Sequence, residues 1–197
     1  MDDQDSQQKK NDQEMRNIIE EARCILPGLQ AVFGFQTIAV FNERGQVFIG
    51  RRRADDLSEV TDPTALRWQM PQGGIDAGEA PVVAALRELF EETSIRSVEL
   101  VAQAPDWIFY DLPDEAIGIA LKGKYRGQRQ RWFAYRFTGN ESEINVEAPG
   151  DGTVPAEFDA WRWEALDRLP ELIVSFKRDA YEQVVAAFRH IPAQFAR

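Results

Sequence analysis

Residues 73–95 read GGIDAGEAPVVAALRELFEETSI, and this stretch decides the interpretation of the whole chain. It opens with three closely spaced glycines. After Pro81, residues 82–93 contain neither glycine nor proline. Proline is tolerated in the first turn of a helix, because its missing N–H would have no partner there. The stretch therefore predicts a glycine-rich loop over residues 73–78, followed by a helix over residues 80–93.

The predicted helix has two chemically different sides. At ~100° per residue, one side collects apolar side chains and the opposite side collects three carboxylates spaced i, i+3 and i+4, where side chains are neighbours. The apolar side consists of Val82, Val83, Leu86, Leu89 and Phe90, and the acidic side consists of Glu88, Glu91 and Glu92.

The crowded carboxylates need a physical explanation. They repel one another, and they lie near the carboxyl end of the helix, where the helix dipole disfavours negative charge. A divalent cation would offset both the repulsion between the carboxylates and their unfavourable interaction with the helix dipole. Oxygen ligands of this kind suit Mg²⁺ or Mn²⁺. Without a cation, the same residues would form an ordinary solvated acidic face, which is the usual meaning of such a run on its own.

The spacing around the carboxylates is more specific than the carboxylates alone. It runs from Gly73 through Glu79 to the block Arg87–Glu92 and ends at Ile95. This pattern resembles the Nudix box, GX5EX7REUXEEXGU with U an aliphatic residue, and eight of its nine specified positions match. The exception is Ser94, which stands where the family usually has the glycine that ends the helix in a left-handed conformation. We therefore expect a strained or altered turn there.

The resemblance implies a fold, a reaction and a metal site. The fold is an α/β/α sandwich with a mixed β-sheet between helices, within the α/β or α+β class. The reaction is hydrolysis of a nucleoside diphosphate linked to another group. The implied metal ligands are Glu88, Glu91 and Glu92 together with the carbonyl of Gly73, and Glu79 would either cap the helix or orient Arg87, which is counted among the catalytic residues.

The rest of the chain alternates strand patterns with turns and ends in a helix. Apolar and β-branched runs predict a hairpin over 33–53 with its turn at 42–45, and further strands over 97–105, 107–113, 130–139 and 158–163. Between them lie a polar loop (54–66), a basic connector (122–131) and a long irregular stretch (140–159). The chain closes with a helix over 175–190, for which Ser175 is the expected N-cap.

Four segments extend the resemblance beyond the box. They are WQMPQGGID (68–76), GQRQRWFAYRF (127–137), AEFDAWRW (156–163) and VSFKRDAYEQV (174–184). They resemble bacterial RNA 5′-pyrophosphohydrolases and the related asymmetric dinucleoside tetraphosphate hydrolases, over most of the chain between Phe35 and Phe188.

This second resemblance implies roles for further residues. Glu157 would be the general base, with Glu91 as the alternative. Arg52 and Lys177 would contact phosphates, Gln72, Gln128 and Gln130 would make polar contacts, and Tyr110 and Phe176 would stack on a base or belong to the core. Trp107, Trp132, Trp161 and Trp163 are expected to pack rather than bind.

The substrate stays open at this point. Members that act on RNA usually carry a YRP-like segment before the first strand, but Val32-Phe33-Gly34 stands there without an arginine, and the loop 54–66 resembles that of the dinucleotide-hydrolysing members. The expected substrates are a 5′-triphosphate RNA end or a dinucleoside polyphosphate. A nucleotide sugar, a small nucleotide, or a catalytically idle binding module are the alternatives. The basic stretch 122–131 is either a solubilising loop or a path for an RNA backbone.

Composition limits the remaining classes of function. The chain has 197 residues, a net charge of −10 and a single cysteine, Cys24, so no intrachain disulfide is possible. It contains no apolar run long enough to cross a membrane. Because residues 1–20 show no basic region followed by an apolar stretch, we expect that they are not a signal peptide. We expect a cytoplasmic enzyme without membrane or DNA partners, in which residues 1–16 form a disordered acidic tail, 17–32 an extension with a short helix over 17–26, and 33–197 a single domain. Nothing in the sequence predicts the oligomeric state.

Overall fold

The computed structural model describes residues 35–53, 67–76, 78–111 and 127–195. The predicted acidic tail, the helix over 17–26, the loop 54–66 and the basic residues 122–126 lie outside these ranges and stay predictions. The strands are β1 (Phe35–Phe41), β2 (Val47–Arg52), β3 (Trp68–Gln69), β4 (Gln72–Gly74), β5 (Val98–Gln103), β6 (Ile108–Asp111), β7 (Gly127–Phe137) and β8 (Phe158–Glu164).

Four α-helices follow or interrupt the described strands. They are α1 (Pro81–Thr93), α2 (Leu169–Leu172), α3 (Arg178–Phe188) and α4 (Pro192–Phe195). Single 3₁₀ turns occupy Glu141–Glu143, Leu166–Arg168 and Ser175–Lys177. None of the helices in the described ranges is long and apolar enough to span a membrane.

The strands form one mixed sheet with β1 at its centre. β1 runs parallel to β7 over its whole length and antiparallel to β2 and β4, and β7 also pairs antiparallel with β5 and β6. The predicted hairpin is present: the Asn42 side-chain oxygen accepts the backbone N–H groups of Arg44 and Gln46, each at 2.9 Å, and Gly45 adopts a φ of 71° in the turn. The turn thus fixes the register of β1 and β2.

The side chains of the central strands alternate between two cores. In β1, Ala39 and Phe41 point into the core under helix α3, whereas Ile38 and Val40 point into the core under helix α1. Strand β7 alternates in the same way, so each face of the sheet carries its own helix layer. The predicted mixed sheet between helices is confirmed.

Helix α1 begins at Pro81 and ends at Thr93, as the sequence predicts, but its buried side differs from the side with the larger apolar residues. The buried residues are Ala84, Ala85, Leu89, Glu92 and Thr93. Val83 is 54% exposed, and Val82 and Leu86 are also exposed. The two alanines allow the helix backbone to approach the sheet closely, and this rotates the carboxylates towards the protein instead of towards solvent.

Ser94 takes the left-handed conformation that a glycine would take. Its φ is 65° and its N–H donates to the Phe90 carbonyl at 2.8 Å, as in an ordinary helix end. Its hydroxyl oxygen accepts the Gly150 N–H at 3.0 Å. The turn is therefore not altered, and serine instead holds a conformation that costs little only for glycine, with this hydrogen bond as support.

Three local predictions also need correction. Gly73 and Gly74 belong to strand β4, because they pair with β1, rather than to a loop. Residues 127–131, expected in a basic connector, form the first part of β7. The last helix is a 3₁₀ turn followed by α3, and no side chain caps either start, so Ser175 is not an N-cap.

Candidate active site

Strand β4 and helix α1 meet closely at Gly73. The Glu88 carboxylate occupies the space that a Cβ atom at this position would need. Any larger residue would therefore displace the carboxylate, which explains why glycine stands here. The contact brings the backbone of β4 directly against the acidic side of α1.

Arg87 connects the carboxylates around this contact. Its Nε and Nη2 donate to the two carboxylate oxygens of Glu79, each at 3.0 Å, and its Nη1 donates to Glu88 at 2.9 Å and to Glu91 at 3.0 Å. Its Nη2 also donates to the Gly74 carbonyl at 2.8 Å. Glu79 therefore orients Arg87 and does not cap α1.

These ion pairs shift both partners towards their charged forms. The hydrogen bond from Arg87 lowers the pKa of Glu79, against the opposing effect of burial. The hydrogen bond to Glu79 in turn raises the pKa of Arg87. The guanidinium is therefore a permanent positive charge at one end of the acidic side of α1.

Glu92 is the most deeply placed carboxylate of the three. The residue is 6% exposed, and one of its oxygens accepts the backbone N–H of Gln72 at 3.2 Å. Burial raises its pKa well above the ordinary value, and the nearby Glu157 and Glu88 raise it further. Burial also raises the pKa of Glu88, to about 7, although Arg87 acts in the opposite direction.

Glu157 approaches Glu92 from the opposite side of the site. Its Oε1 accepts Gln69 Nε2 at 3.2 Å and lies 3.3 Å from Arg52 Nε, and its backbone carbonyl accepts the Arg53 N–H at 2.9 Å. The backbone bond fixes this residue against the end of β2. Carboxylates that are 65 residues apart in the sequence thus share one site.

The donor set fits a divalent cation by its chemistry. The described ranges contain no group of three or more Asp, Glu, His or Cys side chains already arranged to hold an ion. Arg87 is bonded to one carboxylate oxygen of Glu88 and one of Glu91, so the second oxygen of each is not used by Arg87 and could bind a cation. Carboxylates with raised pKa values gain most from a positive ion, because it offsets both their burial and their mutual repulsion.

Comparison with known proteins identifies the family. The NUDIX domain model matches residues 34–184. The chain belongs to the Nudix family. A relative from Rhizobium meliloti named RNA pyrophosphohydrolase is 60% identical over 154 residues, which are 78% of this chain and 91% of that protein. An Agrobacterium fabrum protein of the same name is 58% identical over 154 residues, covering 78% of this chain and 89% of its own length. The protein is thus a Nudix hydrolase that acts on pyrophosphate bonds.

Solved structures agree on the Nudix fold. The E. coli dihydroneopterin triphosphate pyrophosphohydrolase superposes with a TM-score of 0.54 at 20% identity, over 79% of this chain and 98% of that one. An Ap4A hydrolase from C. elegans gives a TM-score of 0.53 at 15% identity, over 81% of this chain and 100% of that one. At such identities the likeness supports the fold alone. Nudix hydrolases generally use divalent metals.

The substrate-binding candidates lie on the α3 face of the Nudix sheet or at its edge. Gln130 Nε2 donates to Gln72 Oε1 at 3.3 Å. Lys177 is 5% exposed, and Phe176 packs partly against the α3-side core. The backbones of Tyr110 and Gln128 pair with each other across β6 and β7, and their side chains lie outside the described part of the structure.

Sequence reasoning missed two residues that support the site. Gln69 is 3% exposed and holds Glu157, and the Tyr181 hydroxyl oxygen accepts the Met70 N–H at 3.1 Å, which fixes the turn between β3 and β4. The available signal for Gln69 was that it is a polar residue within the motif WQMPQGG. Tyr181 gave none, because a tyrosine on an amphipathic helix usually reports only packing.

Proposed function

We propose that this chain removes pyrophosphate from the 5′-triphosphate end of RNA and leaves a 5′-monophosphate. The observation that carries the proposal is the 60% identity to an RNA pyrophosphohydrolase, of whose length the chain covers 91%. The carboxylate site of α1 supports it, because every acidic position of the box is present. A cytoplasmic location, with neither membrane nor DNA as a partner, stays part of this proposal.

A second candidate is hydrolysis of dinucleoside polyphosphates. It is favoured by Val32-Phe33-Gly34, which lacks the arginine usual before the first strand of RNA-hydrolysing members, and by the length of the loop 54–66. Both substrate classes carry a polyphosphate on the 5′ oxygen of a nucleoside, so one site could serve either. A nucleotide sugar or a small nucleotide receives no specific support from the site, and an idle binding module would not need its full set of carboxylates.

The residues that would hold the cation are Glu88, Glu91 and Glu92 together with the Gly73 carbonyl. We propose Mg²⁺ or Mn²⁺, because both prefer hard oxygen ligands. When bound, a divalent ion offsets phosphate charge and makes a nearby water more acidic. Arg87 would compensate the remaining acidic charge, with Glu79 fixing its orientation.

The chain's own groups would carry the proton and orient the substrate. Glu157, as the general base, would accept the proton of the attacking water on a carboxylate oxygen, and Gln69 would keep that carboxylate turned towards Glu92. Arg52 contacts Glu157 and would approach the phosphates, as would Lys177. Gln72, Gln128 and Gln130 would supply polar contacts, and Tyr110 and Phe176 would stack on a base.

The proposed function has a direct test. Purified protein is incubated with Mg²⁺ and, in parallel, with triphosphorylated RNA and with diadenosine tetraphosphate, and the products are resolved by chromatography. We expect pyrophosphate and 5′-monophosphate RNA from the first, with a higher kcat/KM than for the second. A higher kcat/KM for diadenosine tetraphosphate would favour the second candidate, and turnover of neither would refute both.

Metal binding should depend strongly on pH. Burial raises the pKa of Glu88 from 4.5 to about 7, so the metal-free protein loses stability as pH rises between these values. A cation that binds only the ionised carboxylates would restore the stability that the protein loses when they ionise. At 100-fold excess over Kd, we expect Mn²⁺ to raise Tm by about 5–10 °C at pH 8 and by much less at pH 5.

Thermal unfolding by calorimetry, with NaCl at matched ionic strength as the control, measures this difference. An equal shift at both pH values would contradict the assignment of buried carboxylates as ligands, since protons would then not compete with the metal.

A further inference from the structure

The short segment that joins strands β3 and β4 holds two carboxylates of the site at once. At one end, Gln69 Nε2 donates to Glu157 Oε1 at 3.2 Å. At the other end, the Gln72 N–H donates to Glu92 Oε2 at 3.2 Å. We call residues 69–72 the β3–β4 connection. Because only two residues separate its two contacts, the conformation of the connection fixes how far Glu157 lies from Glu92.

The middle of the connection is held by two hydrogen bonds to other elements. The Pro71 carbonyl accepts the Ile38 N–H of β1 at 2.9 Å. The Met70 N–H donates to the Tyr181 hydroxyl oxygen of helix α3 at 3.1 Å. Met70 is fully buried and Tyr181 nearly so, and water therefore has no room to replace the second bond. The connection thus depends on one side chain of α3.

Tyr181 itself is held firmly by its surroundings. It lies in the first turn of α3, and its ring packs edge-on against Trp132, with ring centres 5.4 Å apart and planes at 86°. Ala180 and Val184 of the same helix are buried in the same core. A ring in a close-packed core keeps its hydroxyl in one place. Tyr181 therefore ties the connection to a rigid helix on the face of the sheet opposite to α1.

Packing alone does not account for this hydroxyl. Tyr135 of β7 is a second buried tyrosine, in the core under α1, and its hydroxyl has no hydrogen-bond partner in the described part of the chain. Phenylalanine would fill the space of either ring. At position 181, however, it would leave the buried Met70 N–H without an acceptor, which is costly, so the connection would have to move or open.

We propose that Tyr181 is a positioning residue, which sets the separation of Glu157 and Glu92 through the β3–β4 connection. This inference rests on the proposed function, in which Glu157 is the general base and Glu92 is a metal ligand. Tyr181 acts through the backbone of Met70 and not by contact with the substrate. It lies one turn after Lys177, so α3 would support both a phosphate-binding residue and the carboxylates.

The first variant is Tyr181→Phe, which removes the hydroxyl and keeps the ring. In EDTA, hydrogen–deuterium exchange of the Met70 and Gln72 amides should become faster by about tenfold or more, because local opening no longer breaks a buried hydrogen bond. The Kd of Mn²⁺, measured by electron paramagnetic resonance of the free ion, should rise about tenfold, and kcat should fall about tenfold. KM should change by less than about twofold, since the substrate contacts remain.

A second variant separates the two ends of the connection. Gln69→Met keeps the approximate volume of the side chain and removes only the donor to Glu157. It should lower kcat and leave the Kd of Mn²⁺ at the wild-type value, whereas Tyr181→Phe should change both. The pair of variants thus shows whether Tyr181 acts on both carboxylates together.

Two controls match the chemical change and the loss of stability. Tyr135→Phe also removes a buried hydroxyl, but one that supports no part of the site. Val184→Ala removes buried volume from α3 one turn beyond Tyr181 and should lower Tm. Both controls should keep the wild-type kcat and the wild-type Kd of Mn²⁺.

The outcomes distinguish this inference from the proposed function. An unchanged kcat or an unchanged Kd of Mn²⁺ in Tyr181→Phe would overturn the inference. Equal losses in Val184→Ala would also overturn it, because the effect would then be one of general stability. If the wild-type protein does not hydrolyse triphosphorylated RNA, the proposed function fails, while amide exchange and Mn²⁺ binding still decide the role of Tyr181.

Discussion

Glu92→Gln should abolish most of the turnover and, at the same time, make the metal-free protein more stable at alkaline pH. We expect kcat/KM to fall at least about 100-fold, since the loss of a group that only supports a metal ligand already costs 10- to 100-fold. The gain in stability follows from burial. The carboxylate is almost inaccessible and its pKa is raised, so its ionisation opposes folding.

The sign of the stability effect depends on pH. Because the folded-state pKa lies above the unfolded one, the native protein binds more protons, and wild-type stability falls as pH rises above the ordinary range of a glutamate. The amide has no such dependence. Calorimetry in EDTA should therefore give Glu92→Gln a higher Tm than wild type at pH 8, and a smaller advantage at pH 5.

Glu99→Gln is the control, because Glu99 is an exposed glutamate on β5. It should leave both turnover and the pH dependence of Tm at wild-type values. Unchanged turnover in Glu92→Gln would remove this residue from the metal site, and a lower Tm at pH 8 would contradict the unfavourable burial of its charge.

Glu157→Gln should have the second large effect, on chemistry rather than on metal binding. A positioned general base contributes about 10²–10⁴-fold, so we expect kcat to fall by that factor. The rise in Tm caused by Mn²⁺ should persist, because the proposed ligands on α1 stay intact. Single-turnover kinetics with triphosphorylated RNA measures the chemical step directly.

The same experiment decides between the two candidate bases. If Glu91 is the base, Glu91→Gln will show the large loss of kcat and Glu157→Gln only a small one. Glu164→Gln, at the far end of β8, is the matched control; its carboxylate pairs with Arg162 at 2.8 Å and should not affect the chemical step. A loss of the Mn²⁺-induced Tm shift in Glu157→Gln would instead make Glu157 a ligand.

The carboxylates of the site reduce the stability of the fold, and they are kept there because the function needs them. Arg87 compensates part of the charge in the absence of metal, but Glu92 stays outside its hydrogen bonds. Active sites often keep such unfavourable groups because their function needs them. The raised pKa values of Glu88 and Glu92 are the measurable sign of this cost.

Much of the site could be predicted because its central part is local. The spacing from Gly73 to Glu92 specifies a helix start at Pro81, a turn-by-turn row of carboxylates and an arginine within reach of Glu79, and all of these lie within 20 residues. Contacts at i+3 and i+4 follow from helix geometry alone. The hairpin at Asn42 could be predicted for the same reason. The mixed sheet was instead implied by the resemblance to the Nudix family.

The sequence alone therefore determined the helix, the row of carboxylates and the family, because these depend on neighbours along the chain. Only the tertiary structure decided which side of α1 is buried, since close packing through Ala84 and Ala85 outweighed the burial of Val82 and Val83. It also decided that Gln69 and Glu157, 88 residues apart, meet beside Glu92. Such contacts depend on strand pairing between distant segments, which no local pattern specifies.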